Sequence, residues 1–162
     1  MADSVRELIL KDLVTTLEGV TVANGYAHTL RSVQRFRQAG HTLAAVPMVV
    51  VMEGEDSVAA EGPLAGAGSL TTRNLIVNLV LIHRQDDDTD PRPSTELMNS
   101  LLADVQKAVL GGTRYTRGGH AIDTTELGIG ELDADEGQPE LVQTIAFRIQ
   151  YRHRFDDPTA EG

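Results

Sequence analysis

The stretch 141–155, LVQTIAFRIQYRHRF, has the clearest strand periodicity in the chain and decides the fold. Successive side chains of a strand point to opposite faces of a sheet, so an alternating pattern predicts one buried and one solvated face. The apolar and aromatic set predicted to share the buried face is Ile145, Phe147, Ile149, Tyr151 and Phe155. The set predicted on the opposite face is Arg148, Gln150, Arg152 and Arg154. The stretch therefore predicts a half-buried strand whose outer face is cationic.

Other apolar runs predict the remaining strands of the sheet. Residues 71–84, TTRNLIVNLVLIHR, are apolar on both faces except at Asn78, and residues 48–52, MVVVM, form a continuous apolar run after Pro47. Such runs indicate strands covered on both faces, so we expect 48–52 to be central in its sheet. An imperfect alternation over 28–37 predicts a further strand, one face of which carries Arg31, Arg35 and Arg37.

Two helices are predicted from capping and spacing. Ser4-Val5-Arg6-Glu7 has the form of a capping box, and apolar residues at helical spacing follow until Gly19, which predicts a helix over about 4–18. Ser94 is a suitable N-cap for a second helix over about 94–110, which ends at Gly111-Gly112. Its apolar stripe is Leu97, Leu101, Leu102, Val105 and Val109.

The order of elements predicts the fold class. Eight elements follow each other along 162 residues, a length typical of one domain. Their order is helix, strand, strand, long loop, strand, helix, one weak strand and strand. We predict an α+β fold: a mostly antiparallel mixed sheet of about four to five strands, with two helices packed on one face and a long β-hairpin loop. Residues 1–155 would form this single domain, and 156–162 a polar C-terminal tail.

Composition excludes several classes of protein. The formal net charge of −10 argues against nonspecific binding to duplex nucleic acid or to an anionic membrane surface, because both need a basic face. The absence of cysteine excludes disulfides, thiolate metal sites and cysteine nucleophiles. The apolar runs are far shorter than the roughly 20 residues of a membrane-spanning helix, and MADSVRELIL lacks the apolar core of a signal peptide. These features predict a soluble protein made in the cytoplasm.

No motif predicts catalysis, a metal or a cofactor. Asp86, Asp88 and Asp90 resemble the opening of a calcium loop, but Pro91 and Leu97 occupy the positions where an EF-hand needs Gly and Glu. The segment GGTRYTRGG at 111–119 follows a helix instead of opening one, and it matches neither phosphate-binding glycine motif. We therefore expect no catalytic, metal-ligating or cofactor-binding residue, while an enzyme built on these two loops stays an alternative.

Charge is segregated within the last third of the chain. Residues 123–140 contain seven acidic and no basic residues, whereas 141–155 contain three arginines and no acid. The arginines of one copy could contact the acidic 123–140 segment or the 86–90 loop of another copy, which would set register and exclude wrong partners; a solvated sheet face is the alternative. The candidate subunit or tube interface is Arg148, Arg152, Arg154, Arg31, Arg35, Arg37, Asp86, Asp87 and Asp88.

Residues 54–70, GEDSVAAEGPLAGAGSL, lack any sustained period and are predicted to form a loop. A loop of this length in a compact domain is usually functional or disordered. We expect it to be mobile in the free protein and ordered on contact with a partner. The residues of this candidate docking loop are Gly54, Glu55, Asp56, Glu61, Gly66 and Gly68.

Several motifs occur together in an order that is familiar from one family. The first helix carries the pattern REL-IL-DL over Arg6–Leu13. The segment 45–56, AVPMVVVMEGED, is a Pro-apolar strand followed by an acidic glycine turn. The last strand carries Ile149, Tyr151 and Arg152 and is followed by Asp157-Pro158. A long loop, a Leu/Val strand, an acidic Pro-containing loop and a second helix lie between. In this order the chain resembles the tail-terminator (tail-completion) proteins of long-tailed bacteriophages, the lambda minor tail protein U type.

The resemblance implies a structural virion protein and not an enzyme. Its subunits would form a six-fold homo-oligomeric ring that caps the tail tube, stops tube polymerisation and joins the tube to the head–tail connector or neck protein. DNA would pass through the lumen without specific binding, and no membrane would be involved. The protein would be assembled in the host cytoplasm and reside in the tail or neck. Another neck component, such as a head-closure or connector protein, is the alternative within this setting, and a small metal-dependent enzyme is the alternative outside it.

Overall fold

The structure, a computed structural model, describes residues 2–35, 45–60, 69–84, 94–133 and 140–161. Within these ranges two helices and five strands form the body of the protein. They are α1 (Val5–Glu18), β1 (Ser32–Arg35), β2 (Met48–Ala60), β3 (Leu70–Arg84), α2 (Ser94–Leu110), β4 (Asp123–Ile129) and β5 (Glu140–Arg154). Short 3-10 turns occupy Val22–Asn24 and Arg114–Gly119.

The five strands form one mixed sheet in the order β1-β2-β3-β5-β4. Only β1 and β2 are parallel, and the other three pairings are antiparallel. The longest pairing joins β3 to β5, from Leu70 opposite Arg154 to Arg84 opposite Glu140. The fold is therefore the α+β sheet that the sequence predicts, with β3 at its centre and β1 and β4 at its edges.

Both helices pack on one face of the sheet. Leu75, Val77, Leu79 and Leu81 of β3 are fully buried there, with alternate residues of β5 beside them. The α2 stripe predicted from helical spacing is buried against this face, as are Ile9 and Leu13 of α1. The opposite face has a smaller apolar cluster, with Met48, Val50 and Ile82 at its centre.

The sequence predictions for the individual elements are confirmed at most positions. Ser4 caps α1 by accepting a hydrogen bond from the backbone N–H of Glu7 at 3.2 Å, as the capping box predicts. The 48–52 run is buried on both faces of an interior strand, although the strand lies between β1 and β3 and is not the central one. Phe155 is the exception in the last strand, because it follows Arg154, where β5 ends, and is 56% exposed.

The prediction of a loop over 54–70 is wrong for its first part. Strand β2 continues through Gly54, Glu55 and Asp56 to Ala60, paired with β3 across two register irregularities. Gly54 permits a close approach, because a Cβ there would lie 3.1 Å from the carbonyl oxygen of Ile76. The polar composition conceals this half of the strand from a periodicity analysis. The remaining loop candidates Glu61, Gly66 and Gly68 lie outside the described residues.

The C-terminal residues pack against the domain. The backbone N–H of Val5 donates to the carbonyl oxygen of Pro158 at 3.0 Å, and the N–H of Arg154 donates to that of Ala160 at 3.0 Å. Glu161 forms an isolated bridge with His153 and contacts His120 through its carboxylate. The polar tail therefore contacts the beginning of α1 and the end of β5. Neither described helix is long and apolar enough to cross a membrane.

A buried carboxylate joins the segment after α1 to α2. Asp104 lies within the apolar face of α2 and is 7% exposed. Its oxygens accept from the backbone N–H groups of Ala27 at 3.1 Å and His28 at 2.8 Å, and Nδ1 of His28 lies 3.1 Å from Oδ2. The His28 ring in turn contacts His83 in a T-shaped arrangement. Because these contacts satisfy a buried charge, Asp104 fixes how the segment around Ala27 and His28 packs against α2.

Replacing this carboxylate should destabilise the fold. We expect Asp104→Ala to lower the free energy of unfolding by about 3 kcal/mol, because it leaves two backbone N–H groups and a histidine without their charged acceptor. Asp104→Asn, which keeps one acceptor oxygen, should cost less. Urea unfolding followed by circular dichroism measures both. The control is Asp3→Ala, which removes only the exposed pair with Lys11 and should change little; equal effects of the two alanine variants would contradict the role of Asp104.

Candidate subunit interface

The three exposed arginines of β5 lie on the sheet face opposite the helices. We call Arg148, Arg152 and Arg154 the arginine stripe; each occupies an even position of β5, whereas the odd positions 145 to 151 are buried under the helices. Across the sheet, Arg152 stands opposite Thr72 and Arg154 opposite Leu70. The alternation predicted from the sequence is confirmed here by register and burial.

The stripe has few counter-charges in the described part of the chain: Arg154 interacts electrostatically with the carboxylate of Asp157, and Asp123 of β4 stands opposite Gln150 on the same face. Nε of Arg152 donates to the hydroxyl of Thr72 at 3.1 Å, and none of the three guanidinium groups forms an ion pair with a described residue. Gln150 and Asn74 lie between them and hydrogen-bond to each other at 3.3 Å. The result is a polar, positively charged face on a protein whose overall charge is strongly negative.

Arg35 does not belong to this surface. It stands opposite Val51 in β1, on the same side of the sheet as the helices, because alternate residues of a strand share a face. Its guanidinium contacts Glu7 of α1 at 2.6 Å and Glu53 of β2 at 2.6 Å. Hydrogen bonds to Glu7 and then to Glu53 raise the pKa of Arg35, so this arginine is occupied within its own chain.

The other interface candidates are distributed differently again. Arg31 precedes β1, and its backbone N–H donates to the carbonyl oxygen of Pro47 at 2.9 Å. Four further candidates lie outside the described residues: Arg37 and the loop residues Asp86, Asp87 and Asp88. Of the predicted interface residues, the structure therefore brings together only the arginine stripe on one exposed surface.

One acid predicted to be in the docking loop, Asp56, belongs with the preceding Glu53 to an ion-pair cluster at the second half of β2. Glu53 binds Arg6 as well as Arg35, with Oε2 at 2.7 Å from Nη2 of Arg6. Asp56 accepts from Nε of Arg73 at 2.8 Å and from the hydroxyl of Tyr151 at 2.8 Å. These contacts hold β2 in the sheet where its apolar run of 48–52 has ended, which sequence periodicity could not reveal.

A recess of about 270 Å³ opens beside this cluster. Its walls include Ser4, Arg6, Asp56, Arg73 and Tyr151, together with His153 and Pro158. The carboxylate of Asp56 already lies against both arginines, at 3.7 Å from Nε of Arg6 and 2.8 Å from Nε of Arg73. Because the recess supplies its own counter-charge, we assign the cluster to structure and not to ligand binding.

The segment GGTRYTRGG forms a 3-10 turn that buries one of its two arginines. Arg117 is completely buried, has a positive φ of 49°, and donates from Nη2 to the carbonyl oxygen of Val109 near the C-terminus of α2. Nη1 lies 3.7 Å from Asp12 of α1. Burial lowers the pKa of Arg117 to about 10. This arginine supports a helix end, as cations near helix C-termini do, and is inaccessible to a phosphate.

Among the described residues, no group of three or more His, Asp or Glu side chains is arranged to hold a metal ion. The D-x-D-x-D motif at 86–90 lies outside the part of the chain that the structure describes. The chain matches no protein-family model, and comparison with curated proteins finds no significant relative.

The Tyr151–Asp56 contact predicts a measurable alkaline dependence of stability. Burial, followed by the hydrogen bond to Asp56, raises the pKa of Tyr151 well above its usual value. Above pH ~10 the unfolded chain loses this proton while the folded protein keeps it, so the stability that Tyr151 contributes declines as pH rises. We expect Tyr151→Phe to lower the free energy of unfolding by about 1 kcal/mol at neutral pH, and this difference from wild type to shrink above pH ~10.

Chemical unfolding at several pH values between 7 and about 11 tests this expectation, because the titration of every other group is common to both proteins and cancels in the difference. Tyr115→Phe is the control, since Tyr115 is 40% exposed. A difference between wild type and Tyr151→Phe that stays constant or grows above pH ~10 would contradict the assignment.

Burial of Arg117 predicts that its volume matters more than its charge. We expect Arg117→Ala to lower the free energy of unfolding by about 3 kcal/mol, because it leaves a cavity between α1 and α2. Arg117→Met fills most of that space and loses the contacts with the α2 carbonyl and with Asp12, so it should cost less than Arg117→Ala. Thermal and urea unfolding measure both variants, with exposed Arg154→Met as the control. Equal losses for Ala and Met would contradict the packing role.

Proposed function

We propose that this protein is a structural subunit that assembles into a ring, caps the tail tube of a long-tailed bacteriophage and joins it to the head–tail connector or neck protein. One observation supports an assembly role most directly: an exposed row of three arginines, none in an ion pair with a described residue, lies on a face that no described helix covers. The assignment to tail termination rests on the resemblance of motif order described above.

Electrostatics support assembly over nucleic-acid binding. A protein with a net charge of −10 has a repulsive long-range field toward phosphate, so its local cationic face fits an acidic protein surface better than DNA. Charged groups at an interface set register and partner choice more than affinity. In a ring of such chains, the same negative field would let DNA pass through the lumen without being held.

Charge reversal in the stripe tests the proposal. We expect Arg148→Glu with Arg152→Glu to abolish ring formation and tail joining, because like charges placed against an acidic partner surface repel. The monomer should keep its stability, since both side chains are exposed and neither forms an ion pair within the part of the chain that the structure describes. The measurements are mass by light scattering at low and high salt, unfolding in urea, and negative-stain imaging with purified tail tubes.

The matched control is Lys11→Glu, which changes net charge as much as each single reversal but lies on α1, away from the stripe. It should assemble like wild type. Full-length, head-joined tails from the doubly reversed protein would refute a role for the stripe, and a wild-type chain that stays monomeric and ignores tube ends would refute the tail-end function.

Loss of the protein in an infected host separates the two neck functions. Overlong tube polymers are expected if it terminates tails, whereas heads that leak DNA are expected from a head-closure or connector protein. A small enzyme built on the 86–90 and 111–119 loops is tested by metal analysis and by a thermal shift with Ca²⁺ or Mg²⁺, because a bound ion raises the melting temperature by mass action.

A further inference from the structure

Strand β4 presents an unusual exposed edge. Among the described strands it pairs with β5 alone, and the ladder continues beyond Ile129, where Gly130 and Asp133 bond to Thr144 and Val142. Three large apolar side chains are exposed along it: Ile122 at 41%, Leu127 at 52% and Ile129 at 43%. Single exposed apolar residues are ordinary on protein surfaces, but several on one free edge mark a place where another chain can pack.

The same edge is acidic. Asp123, Glu131 and Asp133 are exposed, and Glu126 beside them accepts a hydrogen bond from Gln106 at 2.9 Å. We call residues 122–133, with these four acids and three apolar side chains, the β4 edge. No described basic side chain forms an ion pair with any of its acids.

We infer that the β4 edge binds the arginine stripe of a second copy of the same chain. This inference rests on the proposed ring and identifies the two surfaces that would form its repeated contact. The stripe offers cations that form no ion pair with a described residue, beside the exposed apolar residues Leu70, opposite Arg154, and Phe155, at 38% and 56% exposure. The β4 edge offers unpaired acids beside exposed apolar residues, so the two surfaces are complementary in charge and alike in apolar content.

The charges also disfavour the simplest alternative, a two-fold pairing of β4 with β4. Such pairing would bring acids of one copy against acids of the other, and like charges across strands are destabilising. The register irregularity between Glu126 and Gly128 further disrupts a continuous ladder, because the bulged residue Leu127 has no partner. The β4 edge therefore selects a cationic partner.

One copy can make both contacts at the same time. Asp123 and Asp133 stand opposite Gln150 and Val142, on the face of the stripe, whereas Glu126 and Ile129 stand opposite Phe147 and Ile145, on the helix face. The β4 edge therefore adjoins the stripe, and the part of it on the helix face points in a different direction. A contact between two different surfaces of identical chains propagates from copy to copy and closes into a ring when the rotation permits. This is the type of contact that a cap of identical subunits requires.

A charge-swap experiment tests the pairing. The stripe variant is Arg148→Glu with Arg152→Glu, and the edge variant is Glu131→Arg with Asp133→Arg. Alone, each places like charges across the contact, and we expect each to raise the concentration needed for assembly about tenfold or more. Mixed one to one, the two variants restore opposite charges at every contact and should assemble like wild type in alternating order.

Sedimentation and light scattering on the separate and mixed proteins are the readouts, with and without purified tail tubes, and monomer folding is checked by circular dichroism. Recovery in the mixture, with a mass near six copies of the 17.5 kDa chain, supports the inference. Assembly of the edge variant alone, or failure of the mixture, overturns it. Recovery in the mixture without any binding to tube ends supports the contact and overturns only the tail-terminator function.

The apolar part of the contact is tested without changing charge. We expect Leu127→Ser with Ile129→Ser to weaken assembly about tenfold or more while the isolated chain stays folded, because both side chains are exposed. The matched control is Val22→Ser, which replaces a 61% exposed apolar residue in the Val22–Asn24 turn, outside the sheet. Assembly of the double serine variant at wild-type concentration overturns the role of the β4 edge.

Discussion

The antiparallel pairing of β3 with β5 is the interaction on which the rest of the structure depends. All 15 residues of each strand are in register, so the two-residue period of the side chains is kept over the full length. One set of alternate residues supplies the apolar floor on which both helices pack. The other set, on the opposite face, includes the arginine stripe, so a slip of one residue would bury arginines and expose Phe147 and Ile149.

Past the apolar half of β2, ion pairs replace apolar packing in holding the sheet together, and two of the paired side chains, Arg6 and Glu7, come from α1. Glu53 and Asp56 continue β2 past its apolar half and are each bound by arginines from other elements. Buried and partly buried charges are tolerated when paired and hydrogen-bonded, as these are. This explains how a strand can continue through GEDSVAA, a sequence with neither alternation nor an apolar run.

The two groups of arginines consequently have different roles. Arg35, Arg6 and Arg73 contact carboxylates of their own chain and stabilise the fold, and Arg117 fills space beneath the helices. The arginine stripe has no such partner, and the acids of the β4 edge have no basic partner among the described residues. A chain that leaves one cationic and one acidic surface unpaired is suited to contacts between copies, where each surface completes the other.

The sequence by itself determined the helices, the strand faces and the class of fold, because these follow from local spacing. The N-cap at Ser4, the helical spacing of the apolar residues in α2 and the alternation in β5 all depend on neighbours a few residues apart. Tertiary structure alone decided which charges meet. Asp56 and Tyr151 are 95 residues apart in sequence, and Asp104 binds the backbone of His28 from 76 residues away. Which arginines are occupied and which stay free depends on the sheet order, and spacing along the chain carries no information about that order.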